Sequence, residues 1–129
     1  MKLKLVLTVS SIYLAVLGVG FMFAPRQMGI DAVPADASPA LIAYLRIFGG
    51  PCLGIAVLNW LARDVEPSAA RNAIVLANIV GFGCVTAMDI WAVVSGSGRG
   101  AMKLFLVIHL LMTVAFVVAG RARTGAQRR

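Results

Sequence analysis

Three ionisable side chains, Arg46, Asp89 and His109, fall inside stretches otherwise apolar enough to cross a bilayer. A charged side chain at the bilayer centre costs about 2.5–3.5 kcal/mol on insertion scales, so groups of this kind pair with one another or mark a pathway. With a rise of about 1.5 Å per helical residue, all three sit roughly 8–10 Å below the same membrane surface. A carboxylate at that level can accept the forked donors of a guanidinium, so the spacing predicts an Arg46–Asp89 ion pair. Asn78, Phe82, Thr86 and Asp89 recur at helical spacing, and Thr113 lies one turn from His109. Thr86, Thr113 and His109 are therefore the expected polar neighbours of the pair. Two uses follow: a structural clasp that fixes helix register, or a site for a small solute, an anion or a proton.

Other chemistries lack their residues. The chain has one histidine, which cannot give haem two axial ligands and has no cysteine or carboxylate partners for a zinc site. Cys52 and Cys84 form no C-x-x-C pair and read as buried small apolar residues. Ser10 and Ser11 show no base at helical spacing and no partner at their depth, and Asp89 has no second carboxylate in the spans for acid–base work. The first span carries no glutamate of the kind small multidrug transporters use. The expectation is a protein that is not an enzyme, with no cofactor and no metal.

The elements that must position these residues are membrane helices. Of 129 residues, 60% are hydrophobic, and the mean hydropathy is +0.92. A soluble chain of this size has too little interior for so much apolar surface. Four apolar segments, about 5–24, 39–62, 69–95 and 102–120, each approach the roughly 20 residues that a span requires. The reading is all-α: one membrane domain over residues 1–129, built as a four-helix transmembrane bundle. The first segment is too long for a signal-peptide core and no clear cleavage site follows, so it reads as a retained helix. Ser38–Pro39 and Pro67–Ser68 supply helix-start chemistry, and "SGSGRGA" is a glycine-rich turn.

The net charge of +7 is distributed for a membrane. Lys2, Lys4, Arg63, Arg71, Arg121, Arg123, Arg128 and Arg129 lie in the tails and the 62–71 loop. The other loops hold Arg26, Arg99 and Lys103 beside Asp31 and Asp36. This bias predicts both termini in the cytoplasm. Trp60, Tyr44 and Trp91 fall near helix ends, as interfacial aromatics do. No basic stripe interleaves with exposed aromatics, so nucleic acid is not the expected partner; anionic membrane lipid is.

Next to Arg46, "GGPCLG" places Pro51 where it removes a backbone donor and predicts a kink. Gly50 and Gly54 form a G-x-x-x-G that reads as packing between helices of this chain. The stretch "YLRIFGGPCLGIAVLNWLARD" resembles the Arg-then-Gly helix of the DoxX-like group of small four-helix bacterial membrane proteins. "FMFAP", closing the first span, is similar to other members. The resemblance implies a four-helix bundle in a bacterial inner membrane, and some of the group are subunits of larger assemblies. In the better-known pattern the arginine helix comes first, whereas here it is second, and no site residue is carried over. The functional expectation is a small accessory or interaction subunit of an inner-membrane complex, held by the Arg46–Asp89 clasp. The alternative is a homo-oligomeric small-solute or proton transporter, or a lipid-binding protein, using Arg46, Asp89 and His109.

Overall fold

The computed structural model describes residues 2–29, 33–98 and 100–124, the side chains of 122–124 excepted. Asp31, Arg99, Arg128, Arg129 and the side chain of Arg123, all counted in the charge pattern, lie outside the described residues. Among the described residues the chain is helical, with no strand: α1 (Leu3–Phe23), α2 (Pro25–Met28), α3 (Pro39–Ala62), α4 (Ala69–Val94) and α5 (Met102–Thr124). Four of these are long and apolar enough to cross a membrane. Their starts follow from local chemistry. Ser38 Oγ accepts from the Leu41 N–H at 3.2 Å, with Pro39 opening α3; Ser68 Oγ accepts from the Arg71 N–H at 3.2 Å at the head of α4. α4 ends where Gly96 takes φ 71°, a left-handed conformation that glycine adopts without steric cost. The single-turn α2 was not anticipated; Pro25 sets its first position and is buried.

The helices alternate in direction, so the start of α1, the α3–α4 turn and the end of α5 share one face of the bundle, here the terminal face. α1 lies along α3 and α4 along α5, while the two pairs meet only lightly, through α1–α5 and α3–α4. The α1–α3 seam is close because small residues allow it. A Cβ added to Gly18 would stand 2.9 Å from the Gly49 carbonyl oxygen, and one on Gly49 would stand 2.5 Å from that of Gly18. The expected packing glycines are different ones. Cβ atoms on Gly50 and Gly54 would meet nothing within 4 Å, because the 50/54 stripe is turned about one helical position away from the seam and faces outward. α3 is assigned as one helix through Pro51.

The core fills the terminal half of the bundle, where Leu7, Phe116 and Asn59 are fully buried and Val6, Val75 and Ala119 pack round them. Arg71, counted with the loop charges, is also buried there, at 4% exposure. Toward the opposite face the two helix pairs part round a cavity.

Candidate functional site

The polar residues of the spans collect in three clusters. The first is a three-residue chain across α1, α5 and α4. His109 Nδ1 lies 2.6 Å from Asp89 Oδ2, and His109 Nε2 lies 2.7 Å from the Tyr13 hydroxyl. Asp89 is buried at 7% exposure. Aromatic rings enclose the imidazole: Phe105 stacks on it with centroids 6.2 Å apart, Phe82 is tilted at 6.2 Å, and Tyr13 meets it edge-on at 5.8 Å. These rings shield the Asp89–His109 contact and fix the imidazole plane, so both ring nitrogens have one partner each.

One turn deeper, Thr86 and Thr113 approach to 3.2 Å, again joining α4 to α5. Thr86 also reaches the Phe82 carbonyl at 2.7 Å and Thr113 the His109 carbonyl at 2.8 Å. A hydroxyl has one hydrogen. With each hydrogen directed to its own helix, the Thr–Thr approach is a shared, bifurcated contact that supports packing rather than a relay.

The sequence expectation about Arg46 is corrected here. Asp89 and His109 do share a level, as depth counting predicts, but the carboxylate faces the imidazole. Arg46 is exposed on α3 and makes no ion pair among the described residues. Depth along a helix does not fix azimuth: Arg46 lies on the outward α3 stripe with Gly50 and Gly54, away from α4. It lines a cleft of about 550 Å³ near the face opposite the termini, together with Arg26, Ala37, Pro39 and Ile42.

The clasp exists, but other residues form it. Asn59 and Asn78 exchange paired amide bonds between α3 and α4: Asn59 Nδ2 donates to Asn78 Oδ1 at 2.9 Å, and Asn78 Nδ2 to Asn59 Oδ1 at 2.7 Å. Asn59 Nδ2 also donates to Ser10 Oγ at 3.0 Å, and Ser11 Oγ donates to the Ala56 carbonyl at 2.7 Å, tying α1 into the same network. Ser10 and Ser11, expected to lack partners, therefore have them. The usable signal was Asn59, an amide in an apolar run; neutral amides carry a lower desolvation cost than an ion pair and hydrogen-bond reciprocally.

The Tyr13–His109–Asp89 chain forms part of the wall of a cavity of about 470 Å³ between the helix pairs, within the size range of small-molecule sites. The remaining wall is apolar, with Leu45, Phe48, Pro51 and Ile55 from α3 and Gly81 and Val85 from α4; Asn78 adds one more polar group. The cavity reaches α2, where Met28 and Gly29 line it, and α5, where Met102 does. Such a space takes an apolar body and offers it a few polar contacts on one wall.

Fold and site define a class: an all-helical, multi-pass membrane protein built as a four-helix bundle, with a polar triplet beside a half-open apolar cavity. No family model, characterised protein or solved structure matches the chain.

Proposed function

We propose that the protein binds an apolar molecule of the membrane that carries a hydrogen-bond-accepting oxygen, with its body in the cavity and its oxygen at Tyr13. The lipid-binding alternative drawn from the sequence is thereby favoured over the accessory subunit. The observation that supports it is the coincidence of an apolar 470 Å³ cavity with the Tyr13–His109–Asp89 chain in its wall.

The need for an acceptor follows from proton accounting. Because a net charge in hydrocarbon is costly, the proposal includes a net-neutral Asp89–His109 pair, with one proton between carboxylate and imidazole beyond the Nε2 hydrogen. Whichever partner holds the shared proton, Nε2 keeps its own and donates it to the Tyr13 oxygen. The Tyr13 O–H is then left to donate, and a carbonyl or ether oxygen in the cavity is its natural partner. Binding, not turnover, is the activity this geometry supports. The reading places the protein in a bacterial inner membrane with both termini cytoplasmic, as the charge bias and the DoxX-like resemblance suggest.

Photolabelling with benzophenone, an apolar ketone, tests the reading. A Cβ on Gly81 meets nothing within 4 Å, so Gly81→Leu fills the cavity without a clash at its root. The expected result is labelling at the cavity-lining Met28 and Met102, abolished in Gly81→Leu and reduced about tenfold in Tyr13→Phe, the scale of one buried hydrogen bond. Labelling that is scattered over the outer helix faces and indifferent to Gly81→Leu defeats the proposal.

The accessory-subunit reading keeps one support of its own. Cβ atoms on Gly50 and Gly54 would meet nothing within 4 Å among the described residues, leaving a G-x-x-x-G stripe open to a helix of another protein. A mild-detergent pull-down that retains a membrane partner with the wild type and loses it with Gly50→Leu favours that reading.

A further inference from the structure

The structure assigns Arg26 and Arg46 a second site, distinct from the apolar cavity: a phosphate-binding cleft for the anionic headgroup of a membrane lipid. Both arginines line one open cleft of about 550 Å³ formed by α2, the segment after it and the first turns of α3. Arg46 stands within a membrane-crossing helix, is exposed and has no ion pair among the described residues. A cation left so in hydrocarbon is costly. Its long stem lets the guanidinium reach toward the headgroups, the end of α3 where Arg26, Ala37 and Pro39 line the same cleft. Arg26 is already oriented. Its Nη1 donates to the Pro34 and Ala35 carbonyls at 3.3 and 2.9 Å, which pins the guanidinium to the segment capping the cleft. Asp36, the described carboxylate of that segment, forms no ion pair with either arginine.

Two guanidiniums over one cleft suit a phosphate better than a carboxylate on a neighbouring helix. A phosphate offers several oxygens to two forks at once, whereas a single carboxylate satisfies one. The flanking Ile42, Ala43 and Ile47 are apolar, as the surface beside a lipid's glycerol and upper chains should be. A lipid phosphate with an uncharged or anionic remainder fits; a choline head brings a third cation toward the two arginines.

The test is native mass spectrometry of the purified full chain in detergent, titrated with dioleoylphosphatidylglycerol or dioleoylphosphatidylcholine. The expected result is preferential retention of phosphatidylglycerol, weakened about tenfold in Arg46→Gln and in Arg26→Gln. Arg46→Lys should retain part of it, since the charge remains and the fork is lost. Arg63→Gln serves as a control at the opposite end of the bundle, where Arg63 lies over the Trp60 ring. Helical circular dichroism and the thermal midpoint verify that each variant is folded. Displacement of the lipid by millimolar inorganic phosphate identifies a site for the free anion as well; no displacement identifies a headgroup site. Either result upholds a phosphate site. Equal retention of both lipids, or equal loss in Arg63→Gln and Arg46→Gln, overturns it.

Discussion

His109 shows how much of a site one residue organises. It holds Asp89 on one nitrogen and Tyr13 on the other, and the two bonds differ in what their loss leaves behind. Tyr13→Phe removes one neutral partner and should cost about 1–3 kcal/mol of stability. Asp89→Ala breaks a buried carboxyl–imidazole pair and should cost about 3–5 kcal/mol. Unfolding monitored by circular dichroism in detergent separates the two; equal costs would show that Asp89 and His109 are not a charge-coupled pair. Asp89 and His109 were legible in the sequence because helix rise converts numbering into depth. Their pairing was not, because depth says nothing of azimuth, and Arg46 at the same level faces outward. Tyr13 was missed because a tyrosine in an apolar span reads as ordinary lining until its hydroxyl is seen against a histidine. At the terminal face, the Lys4 ammonium beside Asp64 holds that carboxyl below the ordinary value of 3.8. The contact's contribution is thus complete above that value and is lost as pH falls through the lower folded value. Asp64→Asn should abolish that acid-limb change in the thermal midpoint.

At the scale of elements, the four long helices lay within a few residues of where hydropathy and capping residues put them, because span length and serine–proline chemistry are local signals. Contacts between helices were harder. Gly49 and Gly50 are chain neighbours, yet Gly49 meets the α1 backbone and Gly50 meets nothing; a one-residue step turns a helical side chain by about 100°. Gly49→Leu should overpack the seam and cost about 1–3 kcal/mol, whereas Gly50→Ala should leave the thermal midpoint unchanged or raise it. The amide pair makes a sharper prediction. Asn59→Leu leaves Asn78 without its reciprocal partner and should cost about 1–3 kcal/mol, and the Asn59→Leu/Asn78→Leu double variant should recover part of that loss. Additive losses in this cycle would show that the amides act independently.

Across the whole molecule, uneven packing is the feature that ties the fold to the proposed binding site. The terminal half is closed by Leu7, Phe116 and the Asn59–Asn78 network; the other half is left open between two tightly packed helix pairs. The amide clasp holds the pairs together toward one end, and the Tyr13–His109 bond spans them beside the cavity. Composition announced the membrane, since 60% hydrophobic residues have nowhere else to go in so short a chain. It could not announce the cavity, which depends on how lightly α1 meets α5 and α3 meets α4. If the opening between the pairs admits ligand from the bilayer, labelling by benzophenone attached to an acyl chain should match that by free benzophenone. Exclusion of the acyl-linked probe would mean that the cavity is reached only from the water-facing end.

The proposed net-neutral chain, which leaves the Tyr13 O–H to a ligand, is directly measurable because the sequence has one histidine. Nitrogen-15 NMR of the protein labelled only at histidine, at neutral pH, reports the two ring nitrogens of His109 without assignment ambiguity. Nε2 should be protonated and donate to Tyr13, with a resonance that moves in Tyr13→Phe and on addition of benzophenone. An Nε2 that carries no proton and accepts from Tyr13 would contradict it, because the tyrosine would then have no hydrogen left for a ligand.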